Sequence, residues 1–192
     1  MIPKVYLASK SPRRRALLSA CHIPFELVEA EIDESQYPEN LPQANIAEYL
    51  ADLKAAKAMT NVPDSIVVAA DSLVICEGEV LGKPVDASDA ARMLRLLSGK
   101  RHLVTTGVCV RDETRKVLFS DLTYVTFQEL AQDEIQYYIE HYQPFDKAGA
   151  YAVQEWIGHC KILRIEGSYT NIMGLPTERV YRVLREWNRY DE

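Results

Sequence analysis

The stretch "SIVVAADSLVIC", residues 65–76, is the most strand-like segment of the chain. Its first half, "IVVAA", is apolar without alternation, which is typical of a strand buried on both faces of an α/β sheet. Asp71 directly follows this apolar run, so the sequence predicts a carboxylate at the end of a buried strand. A carboxylate there needs water, a positively charged partner or a metal ion.

Helices and strands alternate on both sides of this segment, which predicts an α/β fold with a mixed β-sheet and flanking helices. Two helices are expected to begin at Pro12 and Pro42, and further helices are expected later in the chain. The sheet is expected to include one hairpin with the polar turn "DETRK". We expect a single domain over residues 1–192. The predicted strands cover 4–8, 25–33, 65–76, 102–111, 116–130 and 161–167, and the later helices cover 87–99, 132–142 and 176–188.

Composition limits the function classes. The chain has 192 residues, of which 47% are hydrophobic and 26% are charged, values typical of a globular protein. No apolar run is long enough to cross a bilayer and no signal peptide pattern is visible, so we expect a cytoplasmic protein without a membrane partner. The net charge of −6 argues against general nucleic-acid binding.

The cysteines and histidines are scattered along the chain. No paired spacing indicates a zinc site or a disulfide, so we expect buried, reduced thiols. The four histidines are isolated from one another, and we expect them at the surface or in the core rather than in catalysis. The cysteines are Cys21, Cys76, Cys109 and Cys160.

Positive charge is concentrated in "LASKSPRRRALL", residues 7–18. Ser11 and Pro12 are typical of a helix N-cap and first helical position. Unpaired N–H groups and a partial positive charge at that end favour anions, and Ser9, Arg13 and Arg14 add donors suited to phosphate oxygens. The alternative is an ordinary capped helix with a solvated arginine face.

Further charged residues complete a chemical set. Asp71 is a candidate Mg²⁺ ligand or general base, the alternative being an acid that caps a turn. "IDES" offers Asp33 and Glu34 at the end of another predicted strand, while Lys54 and Lys83 offer ammonium groups. Together they supply donors for a polyphosphate, carboxylates for a hard metal and a base for water. The sequence lacks a phosphate-binding P-loop and a G-x-G-x-x-G motif, which disfavours a kinase or a dinucleotide-dependent dehydrogenase.

Two glycine-containing segments remain, "DKAGAYAVQ" (146–154) and "GSYTNIMGLP" (167–176). Their small residues allow close backbone approach, and the amide of Gln154 suits hydrogen bonding to a base edge. Glycine turns around a buried Tyr151 are the alternative interpretation.

These motifs, taken in order, resemble those of the Maf-like nucleoside triphosphate pyrophosphatases. The resemblance runs from about residue 5 to residue 184, and its strength lies in the order of the set, since a single motif would be weak. The motifs are "LASKSPRRRALL", "DES", "LADLKAAKA", "AADSLV", "GEVLGKP", "LSGKRHLVTTGV", "DKAGAYAVQ" and "GSYTNIMGLP".

The resemblance implies hydrolysis of a nucleoside triphosphate to the monophosphate and pyrophosphate with a divalent cation, Mg²⁺ or Mn²⁺. It also implies two lobes around a central cleft, similar to the inosine triphosphate pyrophosphatases, and we expect a homodimer. Asp71 resembles the family's proton acceptor, and Glu34 and Asp71 are the expected metal ligands. The other positions that match substrate-binding residues are Ser9, Arg13, Arg14, Lys54, Ser72, Lys83 and Gln154.

Two subfamilies differ in substrate. Members that prefer dTTP and UTP have an arginine after "SP", a threonine after the acid, and "DKAGAY" followed by glutamine. Arg13 and Gln154 resemble this subfamily, whereas Ser72 departs from its threonine and should loosen the preference. The alternatives are a 7-methyl-GTP pyrophosphatase and a nucleotide-binding regulator of cell division and septum formation with little turnover.

Overall fold

The computed structural model of this protein describes residues 2–187. Helices and strands alternate through that range, which confirms the predicted α/β class. Short 3-10 turns lie at Pro144–Asp146 and Ala148–Ala150. The elements are β1 (Val5–Ala8), α1 (Pro12–Ala20), β2 (Phe25–Leu27), α2 (Gln43–Met59), β3 (Val67–Cys76), β4 (Glu79–Leu81), α3 (Ala87–Leu97), β5 (Arg101–Arg111), β6 (Lys116–Phe127), α4 (Gln132–Tyr142), α5 (Trp156–Lys161), β7 (Ile162–Glu166), α6 (Tyr169–Ile172) and α7 (Thr177–Trp187).

The strands follow the order β2-β1-β3-β5-β6-β7, and β4 pairs with β3. β1 is parallel to β2 and to β3, with Val5 opposite Phe25 and Ala8 opposite Ala69. β3 and β4 are antiparallel, as are β6 and β7. The mixed sheet predicted from the interleaved helices and the hairpin is therefore confirmed.

The chain divides into two compact units. The first comprises the residues up to Asp71, Thr106–Asp121 and those from Gly174 onward, and the second comprises Ser72–Thr105 and Leu122–Met173. β3, β5 and β6 each contribute residues to both units. A single domain over residues 1–192 stays a prediction.

In the first unit, α2 packs against the sheet through small side chains. Ala51, Ala55 and Ala58 are fully buried against Val67 and Ala69 of β3. Alanines on a helix allow its backbone to approach a strand closely, and the strand is thereby covered over its apolar half. This packing holds α2 against the face of β3 that includes position 71.

In the second unit, the core lies between α3, α4 and the strands. Leu94 and Leu97 of α3 are fully buried, as are Phe127 of β6 and Tyr138 of α4. The apolar spacing of α3 and α4 that predicted these helices is the spacing that fills this core. The two helices match their predicted bounds within two residues.

Several elements differ from the sequence predictions. The strand predicted over 25–33 ends at Leu27, where its register with β1 reaches Leu7. The strand predicted over 116–130 ends at Phe127, where a register shift interrupts its pairing with β7. Asn188, the last residue of the helix predicted over 176–188, lies outside the described residues.

Three short elements were missed, one of which is the four-residue helix α6. The predicted turn "EGEVLG" contains β4, and a tight hairpin forms because Glu77 and Gly78 both have positive φ, 50° and 81°. Helix α5 has only six residues, too few for helical periodicity to be visible.

The prediction of buried, reduced thiols is confirmed for two of the four cysteines. Cys76 and Cys109 are buried free thiols, as predicted, but Cys21 is half-buried and Cys160, on α5, is exposed. None of the helices within residues 2–187 has both the length and the apolar character that crossing a bilayer requires.

Candidate active site

Asp71 lies in the middle of β3, and its side chain is only 8% exposed. The prediction that it ends its own strand is wrong, because the strand continues beyond it to Cys76. The strand that ends nearby is β1, whose pairing stops with Ala8 opposite Ala69. Side chains alternate along a strand, so Asp71 shares the face of Val67 and Ala69, which α2 covers.

Lys54 of α2 joins Asp71 to Glu34. Its ammonium donates one hydrogen bond to Asp71 Oδ1 and another, at 2.7 Å, to Glu34 Oε1. The Lys54 side chain is 10% exposed and that of Glu34 is 39% exposed. A buried ammonium needs a charged partner, and here it has two. We call Glu34, Lys54 and Asp71 the carboxylate–ammonium cluster.

The start of α1 is built as predicted. Ser11 is the N-cap, its hydroxyl accepting a hydrogen bond from Arg14 N at 3.4 Å, and Pro12 is the first helical residue. The Ser9 hydroxyl accepts from Ser11 N at 3.2 Å and from Arg14 Nη1 at 3.2 Å. Arg14 Nε donates to the Gly174 carbonyl at 2.7 Å, so the guanidinium is held from two directions.

The electrostatics of Arg14 show which charges lie near it. Burial lowers the pKa of its guanidinium, the Asp71 and Glu34 carboxylates raise it, and Arg13 lowers it further. These charges act on Arg14 through Coulomb interactions, which weaken with distance. The first unit therefore brings together two arginines of α1 and the carboxylate–ammonium cluster.

Three predicted site residues belong to the second unit. Ser72 follows Asp71 on β3 and is half-buried, and Lys83 is exposed in the segment after β4. Gln154 lies in a tight turn closed by a hydrogen bond from Glu155 N to the Ala152 carbonyl at 3.2 Å. Its side-chain Oε1 is buried and has no hydrogen-bond partner within the described part of the chain.

The carboxylates of the first unit limit how a metal could be held. Residues 2–187 contain no cluster of three or more histidine, cysteine, aspartate or glutamate side chains placed to hold an ion. The carboxylate–ammonium cluster supplies two carboxylates, and oxygen ligands are those that Mg²⁺ prefers. Mg²⁺ is usually held by one or two carboxylates with water and substrate phosphates, so this donor set fits an ion that binds together with a phosphate ligand.

Comparison with known proteins assigns the chain to a protein family. The sequence profile of the Maf-like protein family matches residues 4–187. The chain belongs to the Maf-like protein family.

Relatives of this Maf-like chain are similar over nearly their whole length. The dTTP/UTP pyrophosphatase of Porphyromonas gingivalis strain W83 is 44% identical over 188 residues, which cover 96% of this chain and 94% of that protein. The dTTP/UTP pyrophosphatase of Bacteroides fragilis strain YCH46 is 45% identical, with 95% of each chain covered. The dTTP/UTP pyrophosphatase of Bacillus velezensis is 41% identical, with 98% of each covered.

The structure also shows residues of this Maf-like chain that sequence reasoning did not assign. Lys147, quoted within "DKAGAYAVQ", is buried and pairs with Asp146 at 2.6 Å and with Glu155 at 3.5 Å. Tyr138 of α4 bonds to Glu155 and to Ala152 N beside the turn that carries Gln154. Lys147 could have been assigned because it lies within a motif already singled out for the site, whereas Tyr138 resembles any core residue of an amphipathic helix.

Proposed function

We propose that this chain is a nucleoside triphosphate pyrophosphatase that hydrolyses dTTP and UTP, and modified pyrimidine triphosphates, to the monophosphate and pyrophosphate. Such an activity removes non-standard nucleotides. The observation that carries the proposal is the buried contact of Lys54 with Asp71 and Glu34 beside Arg14. The names of the relatives support this substrate class and do not favour the 7-methyl-GTP or regulator alternatives.

The phosphates require positive charge and donors. A nucleoside triphosphate carries about four negative charges, so positioning and neutralisation dominate this chemistry. We assign Arg13, Arg14, Lys83 and the Ser9 hydroxyl to the phosphate oxygens. Lys54, which was expected there too, instead donates to Glu34 and Asp71. Arg14 is the best prepared of these, since its contacts with Ser9 and with the Gly174 carbonyl fix its orientation before substrate binds.

The proposed cofactor is Mg²⁺ or Mn²⁺, with Glu34 and Asp71 as its protein ligands. When bound, the ion would neutralise phosphate charge and lower the pKa of a water molecule. The two carboxylates are both within hydrogen-bond reach of Lys54, which keeps their oxygens facing a common centre of positive charge. Each carboxylate retains further lone pairs beyond the one that accepts from Lys54.

Asp71 is the proposed general base. A water oxygen attacks the α-phosphorus, its proton passes to the Asp71 carboxylate, and the bond from the α-phosphorus to the bridging oxygen breaks to release pyrophosphate. Lys54 acts by holding Asp71 in place, since it contacts one carboxylate oxygen and leaves the other available for the proton.

Gln154 is the proposed reader of the base, and Ser72 and Arg13 complete the substrate preference. A buried amide oxygen without a partner needs a donor. Uracil and thymine both carry a hydrogen on N3, whereas N3 of neutral cytosine is an acceptor and would face Gln154 Oε1 unfavourably. The structure of the base alone thus gives a reason for preferring UTP and dTTP over CTP.

The test is a product analysis with the purified chain, UTP and Mn²⁺ or Mg²⁺. We expect UMP and pyrophosphate in equal amounts, and slower release from CTP. Formation of UDP and orthophosphate would overturn the assigned bond, and binding of UTP without turnover would support the regulator alternative instead.

A cytoplasmic location and a homodimer belong to this proposal as well. The dimer is tested by sedimentation equilibrium of the purified chain, where we expect twice the monomer mass. A concentration-independent monomer mass would contradict it.

A further inference from the structure

The hydroxyl of Tyr138 holds both ends of the turn that carries Gln154. Its oxygen accepts a hydrogen bond from Ala152 N at 3.0 Å, and its hydrogen is donated to the Glu155 carboxylate. The turn itself is closed by Glu155 N and the Ala152 carbonyl, 3.2 Å apart. Gln154 is the third residue of this four-residue turn, between the two points that Tyr138 binds.

The same turn is held from two further directions. The second oxygen of the Glu155 carboxylate lies 3.5 Å from the buried ammonium of Lys147. On the other side, α5 packs directly against the turn: a Cβ at Gly158 would lie 1.9 Å from the Val153 carbonyl oxygen. The backbone at Gln154 therefore has little freedom to shift.

Removing the Tyr138 hydroxyl would affect the turn rather than the core. The ring is fully buried among the apolar residues of the second unit and would remain so in phenylalanine. Burial, followed by the Glu155 hydrogen bond, raises the pKa of Tyr138, so the hydroxyl keeps its hydrogen at neutral pH. Without it, Ala152 N and the Glu155 carboxylate each lose a partner, and the turn loses its link to α4.

We propose that Tyr138 and Glu155 are positioning residues for base selection, holding Gln154 so that its buried Oε1 meets the N3–H of uracil or thymine. This inference rests on the proposed function, in which Gln154 reads the base. It adds that selectivity is set by a helix residue that touches neither base nor phosphate.

The experiment compares kcat/KM for UTP with kcat/KM for CTP in matched variants. In Tyr138→Phe we expect the UTP preference to fall about tenfold, the equivalent of one hydrogen bond. Tyr142→Phe is the control: Tyr142 lies one turn along α4 and stacks on Tyr138 with ring centroids 5.0 Å apart. That variant should keep the wild-type preference within about twofold.

A double variant separates positioning from general loosening of the fold. If Tyr138 acts through Gln154, then Tyr138→Phe should not change the preference any further in a Gln154→Ala background. An equal additional loss in that background would overturn the inference, as would an unchanged preference in Tyr138→Phe alone.

A second variant covers the possibility that Tyr138→Phe does not fold. Glu155→Gln keeps an acceptor for Tyr138 but loses the charge that faces Lys147, and it should also lower the UTP preference. An unchanged preference in Glu155→Gln would then contradict the inference. If the wild-type chain releases no pyrophosphate from UTP, both the proposed function and this inference are wrong. If wild type releases pyrophosphate but the variants keep its preference for UTP over CTP, only this inference is wrong.

Discussion

Lys54 connects two carboxylates that are 37 residues apart in the chain, Glu34 in the turn region after β2 and Asp71 within β3. The ammonium is nearly buried and so cannot be solvated in place of these contacts. The pairing leaves an excess of one negative charge in the carboxylate–ammonium cluster, next to the positive charge of Arg14. A site with both signs of charge can hold a metal ion and a phosphate chain side by side.

The first prediction concerns Asp71. In Asp71→Asn, turnover of UTP should fall by about 10²–10⁴-fold, because asparagine cannot accept the proton from the attacking water. Binding of a non-hydrolysable UTP analogue, measured by calorimetry, should stay within a few-fold of wild type. Near-normal activity would exclude Asp71 as the base.

The matched control for this carboxylate is Asp33→Asn. Asp33 neighbours Glu34 in sequence, but its carboxylate accepts hydrogen bonds from Ser35 N at 3.0 Å and from the Ser35 hydroxyl at 2.6 Å. It lies outside the carboxylate–ammonium cluster, so turnover should remain within about twofold of wild type.

The second prediction concerns Ser72, where the subfamily that this chain resembles has threonine. Ser72→Thr keeps the hydroxyl and adds a methyl group, which should fill space beside the base and sharpen the preference for dTTP and UTP by up to about tenfold. Competition assays with UTP and CTP measure this directly. A preference that weakens in Ser72→Thr would show that serine is the better fit in this chain.

Among the elements, helix α2 lies close to the sheet, and this close approach brings Lys54 to Asp71 of β3. Gly107 of β5 meets the helix backbone: an added Cβ would lie 2.1 Å from Glu48 N and 2.3 Å from the Ala47 carbonyl carbon. Buried alanines continue the same close approach along the helix. The position of the Lys54 ammonium thus depends on a glycine of β5, the strand next to β3 in the strand order.

The third prediction follows from that contact. Gly107→Ala forces α2 away from β5, because backbone atoms cannot yield as a flexible side chain can. The free energy of unfolding should fall by about 1–3 kcal/mol, and kcat should fall as well because Lys54 moves with its helix. Urea denaturation and a UTP assay measure the two effects.

Gly82→Ala is the control for the stability measurement. Within the described residues, a Cβ at Gly82 would meet no heavy atom within 4 Å apart from those of its chain neighbours, so the free energy of unfolding should change by less than about 1 kcal/mol. Equal losses in both glycine variants would show that the close approach of α2 is not the cause.

At the level of the whole molecule, a buried histidine links folding to pH. His102 of β5 is 2% exposed, and its Nε2 lies 2.8 Å from the Tyr151 hydroxyl. Its ring also packs edge-on against Phe127 with centroids 5.0 Å apart. Burial lowers the pKa of His102 from 6.5 to about 4, so the native state holds it neutral where the unfolded chain would protonate it.

The fourth prediction is the resulting pH dependence. Below pH 6.5 His102 binds a proton in the unfolded chain but not in the native state. The free energy of unfolding therefore falls as the pH is lowered from 6.5 to about 4. The His102 contribution to that loss is about 3 kcal/mol in total. Urea denaturation at pH 7.5 and pH 4.5 measures it as the difference between wild type and His102→Gln.

The control for the pH dependence is His141→Gln. His141 is exposed at the end of α4, so this variant should lose as much stability on acidification as wild type does. If His102→Gln shows the same acid loss as His141→Gln, another group controls the pH dependence.

Much of the fold could be predicted from local pattern. The apolar run of β3, the Ser11–Pro12 start of α1 and the spacing of α3 and α4 each depend on interactions between near neighbours in sequence. Where the outcome depended on a distant partner the prediction was wrong, as for 28–33, which follows the point at Leu27 where the pairing with β1 ends. The short helix α5 was not predicted because six residues are too few for helical periodicity to be visible in the sequence.

For the candidate site, the order and chemical type of the side chains could be read from the sequence, and they sufficed for the family resemblance and for naming a candidate base, cations and donors. The contacts of Lys54 with Glu34 and Asp71, and those by which Tyr138 holds the turn of Gln154, could be seen only in the folded chain. These contacts join residues that are 14 to 20 positions apart along the chain. Their geometry is set by how a helix packs against a strand or a turn, and no local propensity specifies that packing.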